Sequence, residues 1–157
     1  SARQPSKKSK SPFSEPPLPA RLAMIGIDTN VLLRLLVRDL DSQVRTAERL
    51  IATHCSSEEP GYVSRLVIVE IVWALKGFYG YDRAQIAASI RALLNVSELE
   101  VESADEIHAA LSDFETSTAG FVDCLLTRTN ETRGCDHTVT FDRKAAKLQG
   151  FRLLTGA

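Results

Sequence analysis

Apolar and polar positions alternate along the chain with two different periods, and each change of period marks an element. A short apolar run, Met24-Ile25-Gly26-Ile27, ends at Asp28 and predicts a strand over 24–28. Residues 31–37 then read as a helix, with Asn30 as its candidate N-cap. A second helix is expected over 41–54, because Val44, Ala47, Leu50 and Ile51 recur at helical spacing. A turn over 58–61 and a brief extended piece at Tyr62-Val63 lead to Ser64, which is placed to cap a long helix reaching about Phe78. Residues 82–96 carry Ile86, Ala87, Ile90, Leu93 and Leu94 on one helical face. Beyond them come a strand over 99–101 and a helix over 103–115, where Ser103 with Glu106 three residues on forms a capping-box pattern. A helix over 121–133 stops at Gly134. The chain closes with a strand over 138–141, a helix over 143–148 and a strand over 151–154. Such alternation predicts an α/β domain, with a central twisted parallel sheet and helices on both faces.

Four acidic residues break this pattern. Asp28 ends the first apolar run. Glu70 interrupts Leu66-Val67-Ile68-Val69-Glu70-Ile71-Val72-Trp73, Asp123 lies inside Phe121-Val122-Asp123-Cys124-Leu125-Leu126, and Asp142 follows Thr138-Val139-Thr140-Phe141. A carboxylate in apolar surroundings is costly to ionise unless a partner or a metal compensates it. No comparable set of basic residues accompanies the four, so they are expected to share one site for divalent cations. Hard cations such as Mg²⁺ or Mn²⁺ prefer carboxylate oxygens, and the chemistry such a site favours is metal-assisted hydrolysis at phosphorus. Asp28 and Asp142 would each end a strand just before a helix, at the sheet edge where α/β folds bind ligands. Glu70 and Asp123 would reach that edge from packed helices.

Each acid also has an ordinary reading. Asp28 and Asp142 stand where Asp caps helices. Glu70 has Leu66, Val67, Trp73 and Ala74 as helical neighbours, and Arg65 or Lys76 as possible ion partners. Thr29, Asn30 and Thr140 flank the acids and could orient them. Asp39 and Asp41 fall between helices and read as cap and turn residues. Arg34 and Arg38 lie one turn apart on what reads as a solvated face, and Arg143, Lys144 and Lys147 beside Asp142 are candidates for phosphate contact. His54, His108 and His137 have no suitable partner nearby in sequence, so no histidine base is expected.

Composition narrows the classes. The 157 residues suffice for one domain with a proper core. No apolar stretch approaches the roughly 18 residues of a membrane span, and none follows the N-terminal lysines as a secretory signal would require. The three cysteines form no CxxC pair and the three histidines fit no zinc spacing, which is consistent with a reducing cytoplasm. A net charge of −1 argues against holding nucleic acid by bulk charge alone. Residues 1–23 are polar and proline-rich and read as a disordered leader or an expression remnant, with residues 24–157 forming the domain.

Met24-Ile-Gly-Ile-Asp28-Thr29-Asn30, an acid on an apolar helix, Phe121-Val-Asp123-Cys-Leu-Leu and Val139-Thr140-Phe141-Asp142 occur in that order. In this order they resemble the PIN-domain ribonucleases, specifically the VapC-like toxins of bacterial toxin–antitoxin pairs, over residues 24 to about 155. The resemblance implies a PIN-like three-layer fold and a metal-dependent endoribonuclease that uses Mg²⁺ or Mn²⁺ held by Asp28, Glu70, Asp123 and Asp142. It also implies RNA as substrate, a homodimer, and inhibition by a small antitoxin protein. Family members often carry a further acid three residues before the Asp123 position. Here that residue is Gly120, which puts the second metal in question. Two rivals remain. A phosphatase of the haloacid-dehalogenase type also opens strand-Asp, but it wants a second acid where this chain has Asn30. A non-catalytic binding module of the same fold would take Gly120 as a sign of decay.

Overall fold

The computed structural model describes residues 24–155, so the expected leader over 1–23 lies outside the described residues. Among the described residues there are six α-helices: α1 (Thr29–Val37), α2 (Asp41–His54), α3 (Arg65–Gly77), α4 (Arg83–Leu94), α5 (Ala104–Thr116) and α6 (Phe121–Thr132). Two short strands run between them, β1 (Gly61–Val63) and β2 (Leu99–Val101), and two follow α6, β3 (Thr138–Thr140) and β4 (Phe151–Leu153). The α/β class expected from the alternation is present, weighted towards helix.

The strands pair in parallel, as expected, but as two separate pairs and not as one sheet among the described residues. Gly61–Val63 lies in register with Leu99–Val101, and Thr138–Thr140 with Phe151–Leu153. The expected first strand shrinks to a single parallel bridge from Gly26 to Tyr62. Two bonds hold it there: the Ile27 N–H donates to the Tyr62 carbonyl at 2.8 Å, and the Tyr62 N–H to the Ile25 carbonyl at 2.8 Å. The second pair is fastened elsewhere, on α6. Asn130 Nδ2 donates to Thr138 Oγ1 at 2.8 Å. Gly150, at φ +92°, lies so close to α6 that a Cβ there would come within 2.6 Å of Thr127 Cγ2; only glycine meets both demands.

Local signals explain the helix ends. Ser64 accepts from the Val67 N–H at 3.4 Å, and Asp82 with Gln85 completes a capping box at 2.8 and 2.9 Å. Gly134, at φ +84°, stands just beyond α6. Three expectations need correction. Asp28, not Asn30, is the N-cap of α1, because the helix begins earlier than the apolar run suggests. Ser103, in the left-handed region at φ 53°, makes no side-chain cap bond, and Glu106 pairs with Arg65 instead. The helix expected over 143–148 is only a 3-10 turn at Ala145–Lys147.

One core joins α1, α3, α4, α5 and α6 with the first strand pair. Leu32, Ile68, Ile71, Leu75, Ile90, Ile107, Leu111 and Phe121 are almost completely enclosed. Burial at this scale, at roughly 25 cal/mol per Å² of apolar surface, is the main favourable term for the fold. Cys55 and Cys124 belong to this core, whereas Cys135 is exposed. Burial raises the thiols of both enclosed cysteines, that of Cys124 to about 11, so at neutral pH both stay protonated and unreactive. Iodoacetamide at about pH 8, near the ordinary thiol range, is therefore expected to label Cys135 alone in the native protein and the other two only after denaturation. Mass spectrometry of the labelled chain checks this.

Candidate functional site

Asp28 and Glu70 line one open cavity of about 440 Å³ together with Thr29, Asn30, Trp73, Ala74 and Phe78. The bridge at Gly26 delivers Asp28 to its rim, and α3 carries Glu70 to the same place. Helix α3 buries Val67, Ile68, Ile71, Val72 and Leu75 on one face, which turns Glu70 to the edge of the other. The Thr29 hydroxyl donates a hydrogen bond to Glu70 Oε2 and so couples the start of α1 to the middle of α3. Asp28 and Asn30 also border a neighbouring cavity between α1 and α2, which Arg34 lines as well, its guanidinium committed to Asp39.

The neighbours of Glu70 differ from the sequence reading in one respect. Leu66 and Trp73 do not bury its surroundings: they are 65% and 61% exposed, on the same side of α3 as Glu70. Neither expected ion partner reaches it. Arg65 turns to Glu106 at 2.7 Å and Glu102 at 3.6 Å. Lys76 is exposed and makes no ion pair among the described residues.

Asp123, on the first turn of α6, lines an adjoining cavity of about 460 Å³ with Trp73, Lys76, Arg83, Gly120 and Val122. Gly120 is the N-cap of α6, and a Cβ there would stand 3.1 Å from Asp123 Oδ2. An acid at that position would press directly on Asp123, and its absence gives the Asp123 carboxylate space. Arg83 is committed to the loop between α5 and α6. It donates to the carbonyls of Ala119 at 2.8 Å and Ser117 at 2.9 Å and to that of Phe114, and its guanidinium lies 3.9 Å above the Phe114 ring. In this way it fixes the N-terminus of α6, and Asp123 with it.

Asp142 lines neither of these two cavities. It follows β3, and its Oδ1 accepts from the N–H groups of Lys144 at 2.6 Å and Ala145 at 3.3 Å, while its own N–H donates to Thr140 Oγ1 at 2.9 Å. Its carboxylate thus caps the turn that follows. The structure therefore brings Asp28 and Glu70 together and sets Asp123 in the next cavity, across Trp73. Among the described residues no three acids, histidines or cysteines approach closely enough to hold an ion by themselves.

Seven other acids behave differently. Asp39, Glu48, Asp113, Glu115 and Glu131 each pair with an arginine, as Glu102 and Glu106 do. Asp39 also accepts from Tyr79 at 3.1 Å, and Arg34 beside it holds its carboxyl below the usual range. Among the described residues Asp28, Glu70, Asp123 and Asp142 have no cationic partner. The donor set of the first cavity, two carboxylates with a hydroxyl and an amide, suits Mg²⁺ or Mn²⁺. Magnesium is commonly held by one or two carboxylates, its remaining positions filled by water and substrate phosphate.

Comparison with known proteins matches the PIN-domain family over residues 25–150. The chain belongs to the PIN-domain family. This PIN domain is also similar to a VapC ribonuclease of Aquifex aeolicus (strain VF5), with 29% identity over 126 residues, covering 80% of this chain and 92% of that protein. No helix of this PIN domain, among the described residues, is long and apolar enough to cross a membrane. Two residues at the site escaped the sequence reading, Trp73 and Phe78. The signal was the spacing Leu66, Glu70, Trp73, which puts an acid and two large apolar residues on one stripe.

Proposed function

We propose that this PIN domain is a metal-dependent endoribonuclease, the toxin of a toxin–antitoxin pair. One observation carries the reading: Asp28 and Glu70 line one cavity in which no basic residue takes part, and neither makes an ion pair among the described residues. Two uncompensated carboxylates repel one another, and a cation relieves that repulsion. Similarity to a VapC ribonuclease supports RNA as the substrate.

In this reading Asp28 and Glu70 hold Mg²⁺ or Mn²⁺, with Asp123 and Asp142 completing the set. When bound, the cation supplies an activated water and neutralises charge on the phosphate. The protein's own groups do the rest. The Thr29 hydroxyl holds the Glu70 carboxylate in orientation, and Asn30 offers an amide to phosphate or water. Gly120 leaves the Asp123 carboxylate open on one side. The reading includes the three-layer arrangement with one twisted sheet, in which β3 would pair beside residues 25–27 and so bring Asp142 towards Asp28. It also includes a cytoplasmic homodimer whose acids a small antitoxin covers.

The test is RNA cleavage by the purified chain in EDTA, with and without restored Mn²⁺. Cleavage should vanish in EDTA and return with Mn²⁺, and calorimetry should detect Mn²⁺ binding that Asp28→Asn weakens. Undiminished cleavage in excess EDTA overturns the mechanism. Neither cleavage nor Mn²⁺ binding assigns the domain to a non-catalytic module.

A further inference from the structure

Large apolar side chains surround the acids and remain in water. Phe78 is 90% exposed, Leu66 65% and Trp73 61%. Trp73 stands on the ridge between the cavity of Asp28 and Glu70 and that of Asp123, and lines both. Phe78 borders the first cavity and Lys76 the second. An aromatic pair left uncovered beside uncompensated carboxylates marks a binding surface, because burying either ring in the core would have stabilised the fold.

We propose that Trp73, Phe78 and Lys76 form a subsite for an unpaired nucleotide of the RNA, with a base stacked on Trp73 and its phosphate near Lys76. The proposal rests on the ribonuclease reading and names the residues that would seat one unpaired nucleotide of its RNA. Three features select a nucleotide over an apolar peptide side chain. The cavity beside Trp73 is lined by Asp28, Thr29, Asn30 and Glu70, so an apolar group filling it would strip water from two carboxylates and return nothing. A base needs only the ring face and keeps its polar edges in water. Lys76 lies one turn along α3 from Trp73 and has no carboxylate partner among the described residues, which leaves it available to a phosphate; Arg83, in the same cavity, is committed to carbonyls. Duplex RNA hides its base faces in the stack, whereas an unpaired base exposes one. The platform is rigid, because α3 is held by its buried face.

The chain contains one tryptophan, so tryptophan emission, excited beyond the tyrosine absorption band, reports Trp73 alone. The wild-type chain is titrated in EDTA, where cleavage is suppressed, with oligoadenylate and with the same strand annealed to oligouridylate. Single strands should quench the emission and the duplex should not. In Mn²⁺, Trp73→Ala should raise KM for single-stranded RNA about 5- to 100-fold with a smaller change in kcat, and Trp73→Phe should recover part of the loss. Lys76→Ala should reduce the salt dependence of binding by about one phosphate contact. Trp73 is mostly exposed, so the variants are expected to fold, and their thermal melts verify this. Absence of quenching together with an unchanged KM in Trp73→Ala overturns the subsite and leaves the ribonuclease reading intact. So does a switch of Trp73→Ala from dimer to monomer with KM unchanged, which assigns the ring to self-association. Should the wild type fail to cleave, the ribonuclease reading falls, and quenching by single strands alone still decides whether the platform exists.

Discussion

Glu70→Gln should lower RNA cleavage by about 100-fold or more while leaving the fold intact. The figure follows from removing one charged group that acts where charge develops in the transition state. The substitution is chosen because it separates charge from structure. The carbonyl oxygen of the introduced amide can still accept from the Thr29 hydroxyl, so the link between α1 and α3 survives. What disappears is a carboxylate that shares its cavity with Asp28 and has no basic neighbour among the described residues. In EDTA the variant should melt at or above the wild-type temperature, because one of two repelling charges is gone. With Mn²⁺ the order should reverse, since the wild type gains binding energy that the variant lacks. Combining Glu70→Gln with Asp28→Asn adds a check. If both carboxylates hold one ion, the double variant loses little more activity than either single one. Fully additive losses, or a variant that melts lower in EDTA and still cleaves, would make Glu70 a structural residue.

Phe121→Ala should cost about 3–5 kcal/mol of folding stability. Phe121 is 2% exposed and meets Phe114 edge to face, with centroids 5.9 Å apart. It opens α6 two residues before Asp123, with the rest of the core closed around it. Truncation removes an aromatic contact and leaves a cavity that the rigid N-terminus of α6 cannot fill. Phe121→Leu keeps most of the volume and should cost markedly less. Urea unfolding measures both, and an unchanged m-value identifies the effect as one on stability. Metal binding should weaken in Phe121→Ala beyond what the global destabilisation explains, because Asp123 rides on the same turn. A loss below about 1 kcal/mol would mean that the site tolerates repacking, contrary to its close enclosure.

The two variants probe different kinds of information. The helices were largely legible in the sequence because their signals are local. Val44, Ala47, Leu50 and Ile51 repeat at helical spacing, and α2 spans Asp41–His54 as that pattern requires. Ser64 and Asp82 announce α3 and α4 through bonds that reach only three residues. Where a local signal competes with a distant partner it fails. The Ser103 pattern is complete, yet Glu106 is taken by Arg65 from 41 residues away.

Strand pairing and side-chain meeting belong to the second kind. An acid ending a strand can be read from the chain, as with Asp28 and Asp142, but which strand lies beside it cannot, because hydrogen bonds between strands carry no residue-specific label. That β3 pairs with β4 and rests on α6 through Asn130 and Gly150 is decided by tertiary packing, and it places Asp142 on its own turn. The same holds for the site. The sequence by itself singled out four acids as out of character. Only the fold decided that Asp28 and Glu70 share one cavity, that Asp123 lies in the next, and that Trp73, which hydropathy assigns to the core, stands between them in water. Burial is a property of the surface left over after packing, and no residue carries it in its own composition.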